Sequence, residues 1–531
     1  MPPRCPAQLA LGYNAPSTSV AATLLRESAA HHMQAQAPLT TTPAAGRITK
    51  ILLAVLAVCV VLGTATMFFG DFLDYGAEST SVAALQRVAG SLPHLTGVAE
   101  TPIHLNPYSG DFYWALAPLM RLVGPADVWL VAFAARTVIL LLVVAIFLGA
   151  VQFNRRSKLF AISAPAATLT LLMIASLDLG LLLSIRPDLP ATFFELLVFY
   201  LAWELLFQKK MALVPAATLV GLAAALACAF RLNSLTIFLG VLGALALERR
   251  GKMLLWCAAS FAAFTAALLA LLALGYSAAG LENALLMTQG EFYSDLGALS
   301  RVLERAVAGL VVQRLPLYLL VIAGIATLYK SRPAAARLYA SCLLSSYLLA
   351  FLGLLRIGGG GNYFHSAVFL GFLPAAAGLD SLFRSSETSG VHQGARTAIM
   401  LYVAALAFAP LFIALNNIVY RSGSHPWEAT RAYLEENIGA GKVYASDSTA
   451  MLYLSDRILL GPYSETALGI NTNLKPYLPQ IEASLAAQGF QAAVIVSRTC
   501  ADWKPTGIFA AQLNQLKRLS HREGSICVFM P

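Results

Sequence analysis

"ILLAVLAVCVVLGTATMFFGDFLDYGAEST", residues 51–80, passes from a long uncharged run into a short acidic segment. The run 51–69 is long enough to cross the roughly 30 Å hydrocarbon core of a bilayer as a helix. Arg47 and Lys50 precede it, and basic residues before a first span favour a cytoplasmic N-terminus. We therefore predict a retained signal anchor, with the acidic segment on the opposite side of the membrane.

The same composition continues through most of the chain. Charged residues make up 12% of the 531 residues and hydrophobic residues 58%, whereas charged residues are about 25% of an ordinary soluble domain. Apolar runs of span length recur, so we predict an all-α polytopic membrane protein with about eleven transmembrane helices. The predicted spans are approximately 51–69, 127–151, 159–179, 190–207, 212–229, 234–247, 253–274, 314–328, 338–355, 366–382 and 397–419.

The net charge of +9 comes from short basic clusters between the apolar runs. These clusters are "NRRSK" (154–158), "QKK" (208–210), "ERRGK" (248–252) and "YKSRPAAAR" (329–337). With eleven alternating crossings they all fall on the cytoplasmic side, as the positive-inside rule requires. Their dispersal argues against nucleic-acid binding, and the topology leaves the C-terminus outside the cytoplasm.

Three regions follow from this topology. Residues 1–46 are rich in Ala, Pro, Ser and Thr and are predicted to be a disordered cytoplasmic tail. Residues 47–419 form the membrane domain, with an external loop at 70–126. Residues 420–531 are predicted to be an extracytoplasmic α/β domain, because helical stretches alternate with short β-type runs. The β-type runs are "KVYAS" (442–446), "AAVIVS" (492–497) and "SICVFM" (525–530).

The seven cysteines show no spacing typical of a metal site. Cys500 and Cys527 lie in the C-terminal region and could pair if that region is outside the cytoplasm. No cofactor is expected, and the need for a divalent metal stays open.

Asp74 and Glu78 are four residues apart and would share one face of a helix. Near a membrane surface such a pair could supply a general base for an acceptor hydroxyl and a second group that orients it. Alternatively, the carboxylates stabilise the N-terminus of the helix predicted for 77–89. The apolar positions of that helix recur every three residues, so we expect it to lie along the bilayer surface. Asp71 competes with Asp74 for the role of base.

Polar residues also stand at the external ends of later spans. They occur in "RPD" (186–188), "FRLNS" (230–234) and "RIGGGGNYFH" (356–365). An arginine at this level can bind a phosphate, or it can extend toward lipid headgroups. Arg186 and Asp188 could instead pair with each other. The candidate substrate-binding residues are Arg186, Arg231, Asn233, Arg356, Asn362, Tyr363, His365 and Tyr108, with Asp188 as a further candidate catalytic carboxylate.

Arg136 lies well inside the second predicted span. A charge in that position should face the helix bundle and have a partner. Glu195, which also lies inside a span, is a possible partner.

The motifs after the first span resemble those of the GT-C membrane glycosyltransferases, which include protein O-mannosyltransferases and the aminoarabinose transferase of lipid A. In that family an acidic motif, a surface helix and a Pro/Tyr-rich loop lead into the second span. Here the corresponding stretches are "LDYGAES" (73–79), "RVAGSL" (87–92) and "TPIHLNPYSGDFYWALAPLMRLVG" (101–124). Two departures are that three residues separate Asp74 from Glu78, and that Tyr108 lies in "PYSGDFY" where relatives often have Tyr-x-Pro.

The resemblance implies a transferase of the inner membrane that takes a sugar from a polyprenyl-phosphate donor. The acceptor would be a lipid, glycan or protein on the extracytoplasmic face, and the transfer would invert the anomeric carbon. Asp74 would be the base, and Glu78 or Asp188 would orient the acceptor. Arg231 and Arg356 would hold the phosphate, and the sugar would lie near Asn362, Tyr363 and His365.

Three other functions are compatible with a chain of this kind. An envelope oligosaccharide polymerase or ligase is also multi-spanning, but its long catalytic loop should come late in the chain. A lipid or solute transporter should show paired half-helices and repeat symmetry, and neither is evident in the sequence. A non-catalytic relative would use its C-terminal region to bind a partner.

Overall fold

The computed structural model describes a mostly helical chain with a small C-terminal sheet. The described residues are 43–69, 77–91, 98–103, 105, 110–124, 128–231, 233–275, 278–288, 296–355, 361–384, 390–420, 424–447, 450–454, 456–497, 499–500, 503, 505 and 508–531. The range Leu52–Pro531 forms one compact unit, which contains all the sites discussed below.

The membrane part consists of helices that run back and forth in one bundle. In chain order they are α1 (Pro43–Phe68), α2 (Ala77–Ala89), α3 (Gly110–Val123), α4 (Val128–Ser157), α5 (Ala164–Leu182), α6 (Asp188–Leu201), α7 (Leu213–Phe230), α8 (Thr236–Leu247), α9 (Gly251–Gly275), α10 (Ala278–Thr288), α11 (Leu296–Ala306), α12 (Leu315–Ser331), α13 (Pro333–Leu354), α14 (His365–Leu370), α15 (Phe372–Arg384), α16 (Gly390–Leu406) and α17 (Phe408–Tyr420).

The predicted polytopic helical fold is confirmed. Among the described residues, eight helical segments are long and apolar enough to cross a membrane, or nine if the bent pair α14–α15 is one span. The two remaining predicted spans correspond to the shorter apolar helices Thr236–Leu247 and Leu315–Ser331. Each of the eleven apolar runs in the sequence is therefore helical, because a backbone in hydrocarbon must satisfy its hydrogen bonds internally. The last two runs are each divided into two helices, α14–α15 and α16–α17.

The basic clusters of the sequence meet at one end of the bundle. Arg332 donates from Nη1 to the carbonyl oxygen of Ser157 at 3.0 Å, and Arg337 pairs with Glu248 at 2.5 Å. Helices α5, α7 and α13 start near these clusters and end at the segments that contain Arg186, Arg231 and Asn362. The candidate site therefore lies at the opposite end of the bundle from the basic clusters.

Helix α2 is enclosed by protein to a greater extent than a helix on the bilayer surface would be. The three apolar side chains on its predicted face, Val82, Leu85 and Val88, are buried, as the amphipathic pattern indicates. Glu78 and Ser81 are buried too, and α2 packs against both α3 and α4. Helix α2, which belongs to the predicted external loop 70–126, therefore packs within the helix bundle.

Helices α12 and α15 cross with their backbones in close contact. A Cβ atom built on Gly324 would overlap the carbonyl oxygen of Pro374, and one built on Gly378 would overlap the carbonyl oxygen of Leu320. Small residues permit this approach in membrane bundles. The glycines are thus required by packing, since the obstructing atoms belong to the backbone and cannot rotate away.

We expect Gly324→Ala to lower the thermal unfolding temperature of the detergent-purified protein. Overpacking of a well-packed core typically costs about 1–3 kcal/mol. Gly149→Ala is the matched control, because a Cβ at this position in α4 meets no atom within 4 Å. Equal melting temperatures for the two variants would contradict the close crossing.

The C-terminal part contains a mixed five-stranded sheet, which confirms the predicted α/β fold. Its elements are α18 (Ser424–Ile438), β1 (Val443–Ala445), α19 (Ala450–Leu454), β2 (Ile458–Leu460), α20 (Pro462–Ile470), α21 (Leu478–Gln488), β3 (Ala492–Val496), α22 (Ala510–Leu513), β4 (Arg518–Glu523) and β5 (Ile526–Met530). The strand order is β2-β1-β3-β5-β4, in which β1 pairs in parallel with β2 and β3, and β5 pairs antiparallel with β3 and β4. The sequence had indicated β1, β3 and β5, whereas β2 and β4 were missed.

One further contact stabilises the sheet region itself, and another joins the sheet to the first external loop. Cys500 and Cys527 form a disulfide with their Cα atoms 5.7 Å apart, so the pairing that the sequence left open does occur. Ile103 bridges Leu460 in parallel and donates from its backbone N–H to the carbonyl oxygen of Leu459 at 2.8 Å. The loop that follows α2 is therefore anchored on the edge of the sheet.

Glu465 makes the stability of the sheet region dependent on pH. Burial raises the pKa of this carboxyl, and the hydrogen bond that Tyr444 donates to it at 2.6 Å partly opposes the rise. A raised carboxyl pKa means that the folded state favours the protonated form. Its contribution to stability is thus present below the ordinary pKa of about 4.3 and is lost as pH rises through the folded-state value.

We expect wild type to lose melting temperature relative to Glu465→Gln as the pH is raised from about 4 toward neutral. Thermal unfolding followed by tryptophan fluorescence across that range would measure the difference. Parallel pH profiles for the two proteins would contradict a raised pKa at Glu465.

Candidate functional site

Asp188 is the centre of a buried polar cluster at the external end of the bundle. It is the first residue of α6 and is 1% exposed. Its Oδ1 atom lies 2.5 Å from Nη1 of Arg231 and accepts a hydrogen bond from Nδ2 of Asn362 at 2.8 Å. Its Oδ2 atom is buried and has no hydrogen-bond partner among the described residues. The carboxylate therefore retains one oxygen that can accept a hydrogen bond from a ligand.

Three breaks in the helices bring this cluster together. The chain bends at 183–187, where Pro187 precedes α6, because proline is tolerated at a helix start and not within it. Helix α7 ends at Phe230, so Arg231 leaves it in an extended conformation. A 3₁₀ turn at Gly361–Phe364 carries Asn362 and Tyr363 into position before α14. All three segments lie at span ends, as the sequence predicted.

Tyr363 completes the surroundings of Arg231. The guanidinium carbon of Arg231 lies 4.3 Å from the centroid of the Tyr363 ring, a cation–π geometry. The Nη1 atom also lies 3.5 Å from the carbonyl oxygen of Asn362. We refer to Asp188, Arg231, Asn362 and Tyr363 as the Asp188 cluster. The sequence predicted all four as site residues, and the structure brings them into contact.

His365 lies next to the Asp188 cluster. Its side chain is 2% exposed, and neither ring nitrogen has a hydrogen-bond partner among the described residues. Asp188, Arg231 and Arg186 are among the charged groups that act on it electrostatically. A buried imidazole without partners is unusual, so His365 retains its capacity to bind or exchange a proton with a polar ligand.

Glu78 forms a second buried ion pair close to this cluster. Its Oε1 atom lies 3.2 Å from Nε of Arg136 and accepts the backbone N–H of Ile185 at 3.3 Å. Burial raises the pKa of Glu78, while the Arg136 charge and the Ile185 N–H act against that rise. Ile185 belongs to the bend that precedes Asp188. Glu78 therefore ties α2 to the segment that positions the Asp188 cluster.

The partner predicted for Arg136 was wrong. Its ion-pair partner is Glu78, and its Nη1 atom also donates to the carbonyl oxygen of Phe68 at 3.2 Å. Glu195 instead accepts hydrogen bonds from the backbone N–H and the hydroxyl of Thr236, at 2.9 and 2.8 Å, and from the Ser366 hydroxyl. Glu195 thus belongs to a hydrogen-bonded network between α6, α8 and α14.

The remaining predicted site residues do not belong to the Asp188 cluster. Arg186 is half-buried in the bend before α6, and the Oδ1 atom of Asp188 pairs with Arg231. Asn233 is exposed in the turn after α7. Asp74, Tyr108 and Arg356 lie outside the described residues, and so their predicted roles stay predictions.

A third buried ion pair was missed by the sequence analysis. Asp178 in α5 and Arg314, just before α12, are both buried and paired. The Oδ2 atom of Asp178 and the Oγ atom of Ser184 are buried without hydrogen-bond partners among the described residues. The available signal was a carboxylate inside the apolar run "IASLDLGLLLS" (174–184), because an acid within a span indicates a functional or paired position.

Candidate metal ligands do not cluster in the described part of the chain. Across the described ranges no three His, Cys, Asp or Glu side chains come together as they would around a metal ion. The expectation of no cofactor and the open question of a divalent metal are therefore unchanged.

Comparison with known proteins identifies the fold. Two solved structures of ArnT from Cupriavidus metallidurans, a GT-C aminoarabinose transferase, match 91% of this chain and 98% of their own. The structure bound to undecaprenyl phosphate has a TM-score of 0.57 at 11% identity, and the apo structure has 0.54 at 12%. No protein-family model and no curated relative matches the chain. The GT-C-like architecture predicted from the sequence is thus confirmed at the level of the fold.

Proposed function

We propose that the protein is a membrane glycosyltransferase that moves a sugar from a polyprenyl-phosphate donor to an envelope acceptor. The Asp188 cluster carries the proposal, because it places a partly exposed arginine at one end of the bundle together with a carboxylate oxygen that has no partner among the described residues. The shared fold supports it, since one of the matching ArnT structures is bound to undecaprenyl phosphate. A donor with a lipid tail and a polar head requires a site at such a boundary.

In this proposal Arg231 binds the donor phosphate. Its side chain is 13% exposed, compared with 1% for Asp188, so it is the more accessible member of the pair. The leaving group is a phosphate, and a fixed guanidinium stabilises the charge that develops on it as the glycosidic bond breaks. Asp188 and Tyr363 hold Arg231 in place before the donor arrives, so that little reorganisation is needed. Arg356 would provide a second positive charge.

The acceptor hydroxyl has a high pKa and needs a base as it attacks. We propose Asp74 for this step, a role for which positioned carboxylates typically contribute about 10²–10⁴-fold. The Oδ2 atom of Asp188, which no other described residue contacts by a hydrogen bond, and the ring of His365 would bind hydroxyl groups of the sugar or the acceptor. Attack from the face opposite the phosphate would invert the anomeric carbon.

The direct test is donor consumption by the purified full-length protein in lipid vesicles. A panel of radiolabelled polyprenyl-phosphate sugars would be supplied with a delipidated envelope extract as acceptor. We expect one donor to be consumed by wild type, with release of polyprenyl phosphate, and Arg231→Met to be slowed severely. Arg384→Met is the matched control, because Arg384 also pairs with a buried aspartate, Asp380 at 2.7 Å, near the basic end of the bundle.

Two outcomes would overturn the proposal. One is that Arg231→Met consumes each donor as fast as wild type does. The other is movement of labelled solute across the vesicle membrane with no product formed, which is the behaviour of a transporter.

The proposal also requires the Asp188 cluster to face the outside of the inner membrane, with the N-terminus in the cytoplasm. A single cysteine in place of the exposed Glu100 should react with a membrane-impermeant reagent added to intact cells, and cysteines around 155 or 250 should not. The reverse pattern would place the site in the cytoplasm and exclude the donor chemistry proposed here.

A further inference from the structure

Three exposed basic side chains lie at the basic end of the bundle, where the π-helical extension of α6 (Ala202–Phe207) and helix α8 end and helix α9 begins. They are Lys209, Arg249 and Lys252, and we refer to them as the Lys252 group. None of the three side chains forms a hydrogen bond or an ion pair with another described residue. This end of the bundle therefore presents three positive charges that the described part of the chain does not neutralise.

The loop after α6 and the loop between α8 and α9 are neighbours. Arg250 donates from Nη1 to the carbonyl oxygen of Leu206 at 3.1 Å, and its guanidinium carbon lies 4.9 Å from the centroid of the Phe207 ring. Helices α7 and α9, which follow these loops, also pack closely, because a Cβ built on Gly221 would lie 2.7 Å from the Cβ of Ser260. The Lys252 group is therefore one surface, although its members come from two loops.

Two members of the group have a backbone conformation that favours glycine. The φ angles of Lys209 and Arg249 are +51° and +56°. Helices often end on a residue with this left-handed conformation, and that residue is usually glycine because a Cβ atom makes the conformation costly. Both helix ends here have a long basic side chain instead. A role for the positive charges at the surface would account for this choice.

The acidic residues in the same loops are already paired. Glu204 forms an ion pair with a lysine outside the group, and Glu248 lies 2.5 Å from Nη2 of Arg337. Residues 1–42 and 385–389 lie outside the described residues, and the topology places them on this side of the membrane. These two segments contain two basic and two acidic residues, so their charges balance. The Lys252 group thus keeps a net positive field.

Exposed apolar side chains continue from this surface along the membrane-spanning helix α9. Leu255 is 67% exposed and Trp256 is 47% exposed. They follow Lys252 by three and four residues, so all three side chains share one face of the helix. Tryptophan and basic residues together are typical of a membrane interface. This face therefore combines an anion-binding end with an apolar continuation into the bilayer.

We propose that the Lys252 group binds the phosphate of an anionic phospholipid, such as phosphatidylglycerol, whose acyl chains pack along Leu255 and Trp256. Basic surfaces beside membrane-spanning helices bind such headgroups. Phosphatidylcholine fits less well, because its choline cation would offset the attraction of the phosphate. A soluble phosphate would use the charges but leave the apolar face without a partner. The site lies at the opposite end of the bundle from the Asp188 cluster, and the inference holds whether or not the protein transfers sugar.

Trp256 provides a local reporter for the test. The full-length protein is reconstituted in phosphatidylcholine vesicles that contain a minor fraction of either brominated phosphatidylglycerol or brominated phosphatidylcholine. The fluorescence quenching that is lost in Trp256→Phe belongs to Trp256. Each basic residue at a membrane surface favours an anionic lipid by about fivefold. We therefore expect brominated phosphatidylglycerol to quench Trp256 at a mole fraction lower by about fivefold or more, and high salt to weaken this preference.

The triple variant Lys209→Gly, Arg249→Gly and Lys252→Gln should lose the preference for phosphatidylglycerol. It should still fold, with a melting temperature in detergent close to that of wild type, because glycine suits the positive φ angle at both helix ends. If it does not fold, Lys252→Gln alone should reduce the preference by about fivefold. The matched control also removes three exposed basic side chains, but from the C-terminal sheet region, and it should keep the preference. Its changes are Lys475→Gln, Lys517→Gln and Arg518→Gln.

Four results would overturn the proposal. They are equal quenching of wild type by the two brominated lipids, an unchanged preference in the folded triple variant, an unchanged preference in Lys252→Gln where that variant replaces the triple one, and an equal loss in the control variant. Inorganic phosphate, compared with sodium chloride at the same ionic strength, separates the two possible sources of the anion. A preference that phosphate abolishes and chloride does not would show a site for soluble phosphate, which would also contradict the proposal.

Discussion

Asp188→Ala should both lower the melting temperature and remove nearly all transfer activity. The change removes the carboxylate that lies 2.5 Å from the largely buried Arg231 guanidinium. Breaking a buried pair in this way typically costs about 3–5 kcal/mol. Asn362 loses its acceptor as well. Because Arg231 and Asn362 would both shift, we expect donor turnover to fall by about 100-fold or more, as small misplacements of positioning groups do.

Three further variants separate folding from function at this position. Asp188→Asn keeps an oxygen for Asn362 and should fold better than Asp188→Ala while staying inactive. The double variant Asp188→Leu with Arg231→Met removes both charges and should regain stability without regaining activity. Asp380→Asn weakens a buried aspartate–arginine pair near the basic end and should lose stability but not donor turnover. Full activity in folded Asp188→Asn would show that this carboxylate has no part in the reaction.

The sequence predicted the Asp188 cluster because its members mark the ends of apolar runs. Alternation of the spans places "RPD", "FRLNS" and "GNYF" at one level, and the length of the apolar runs is the strongest signal in a membrane protein. The basic clusters fix the other level independently. Segments at the same end of a single helix bundle lie close together, so the order of the spans predicts that Asp188, Arg231 and Asn362 share one site.

Partners inside the bundle could not be predicted in the same way. Arg136 and Glu195 both lie in spans, yet which charges face each other depends on helix rotation and packing, which hydrophobicity does not encode. Glu78 reaches Arg136 only because α2 packs against α4 and is not left on the bilayer surface. Strand β4, "RLSHRE", lies at the sheet edge with a largely polar pattern, and so it lacked the run of β-branched and aromatic residues that identified β5.

Variants of Glu78 can show whether its carboxylate is catalytic or only positions other residues. Glu78→Ala removes the carboxylate that pairs with the buried Arg136 and accepts the Ile185 N–H, so we expect a loss of about 3–5 kcal/mol in stability. Glu78→Gln retains an oxygen that can accept from both groups and should unfold at a temperature closer to wild type. The double variant Glu78→Gln with Arg136→Met should regain part of the remaining loss.

Activity then decides the role of Glu78 in comparison with Asp74. If Glu78 only holds the bend before Asp188, Glu78→Gln should keep most donor turnover and the wild-type pH profile, because the contact to Ile185 survives. Asp74→Asn should lower donor turnover by about 10²–10⁴-fold, the usual contribution of a general base. Should Glu78→Gln lose activity to the same extent while Asp74→Asn stays active, the base is Glu78. The Arg136 charge would then oppose the rise that burial causes in the pKa of this catalytic carboxyl, and Asp74 would serve the acceptor only indirectly.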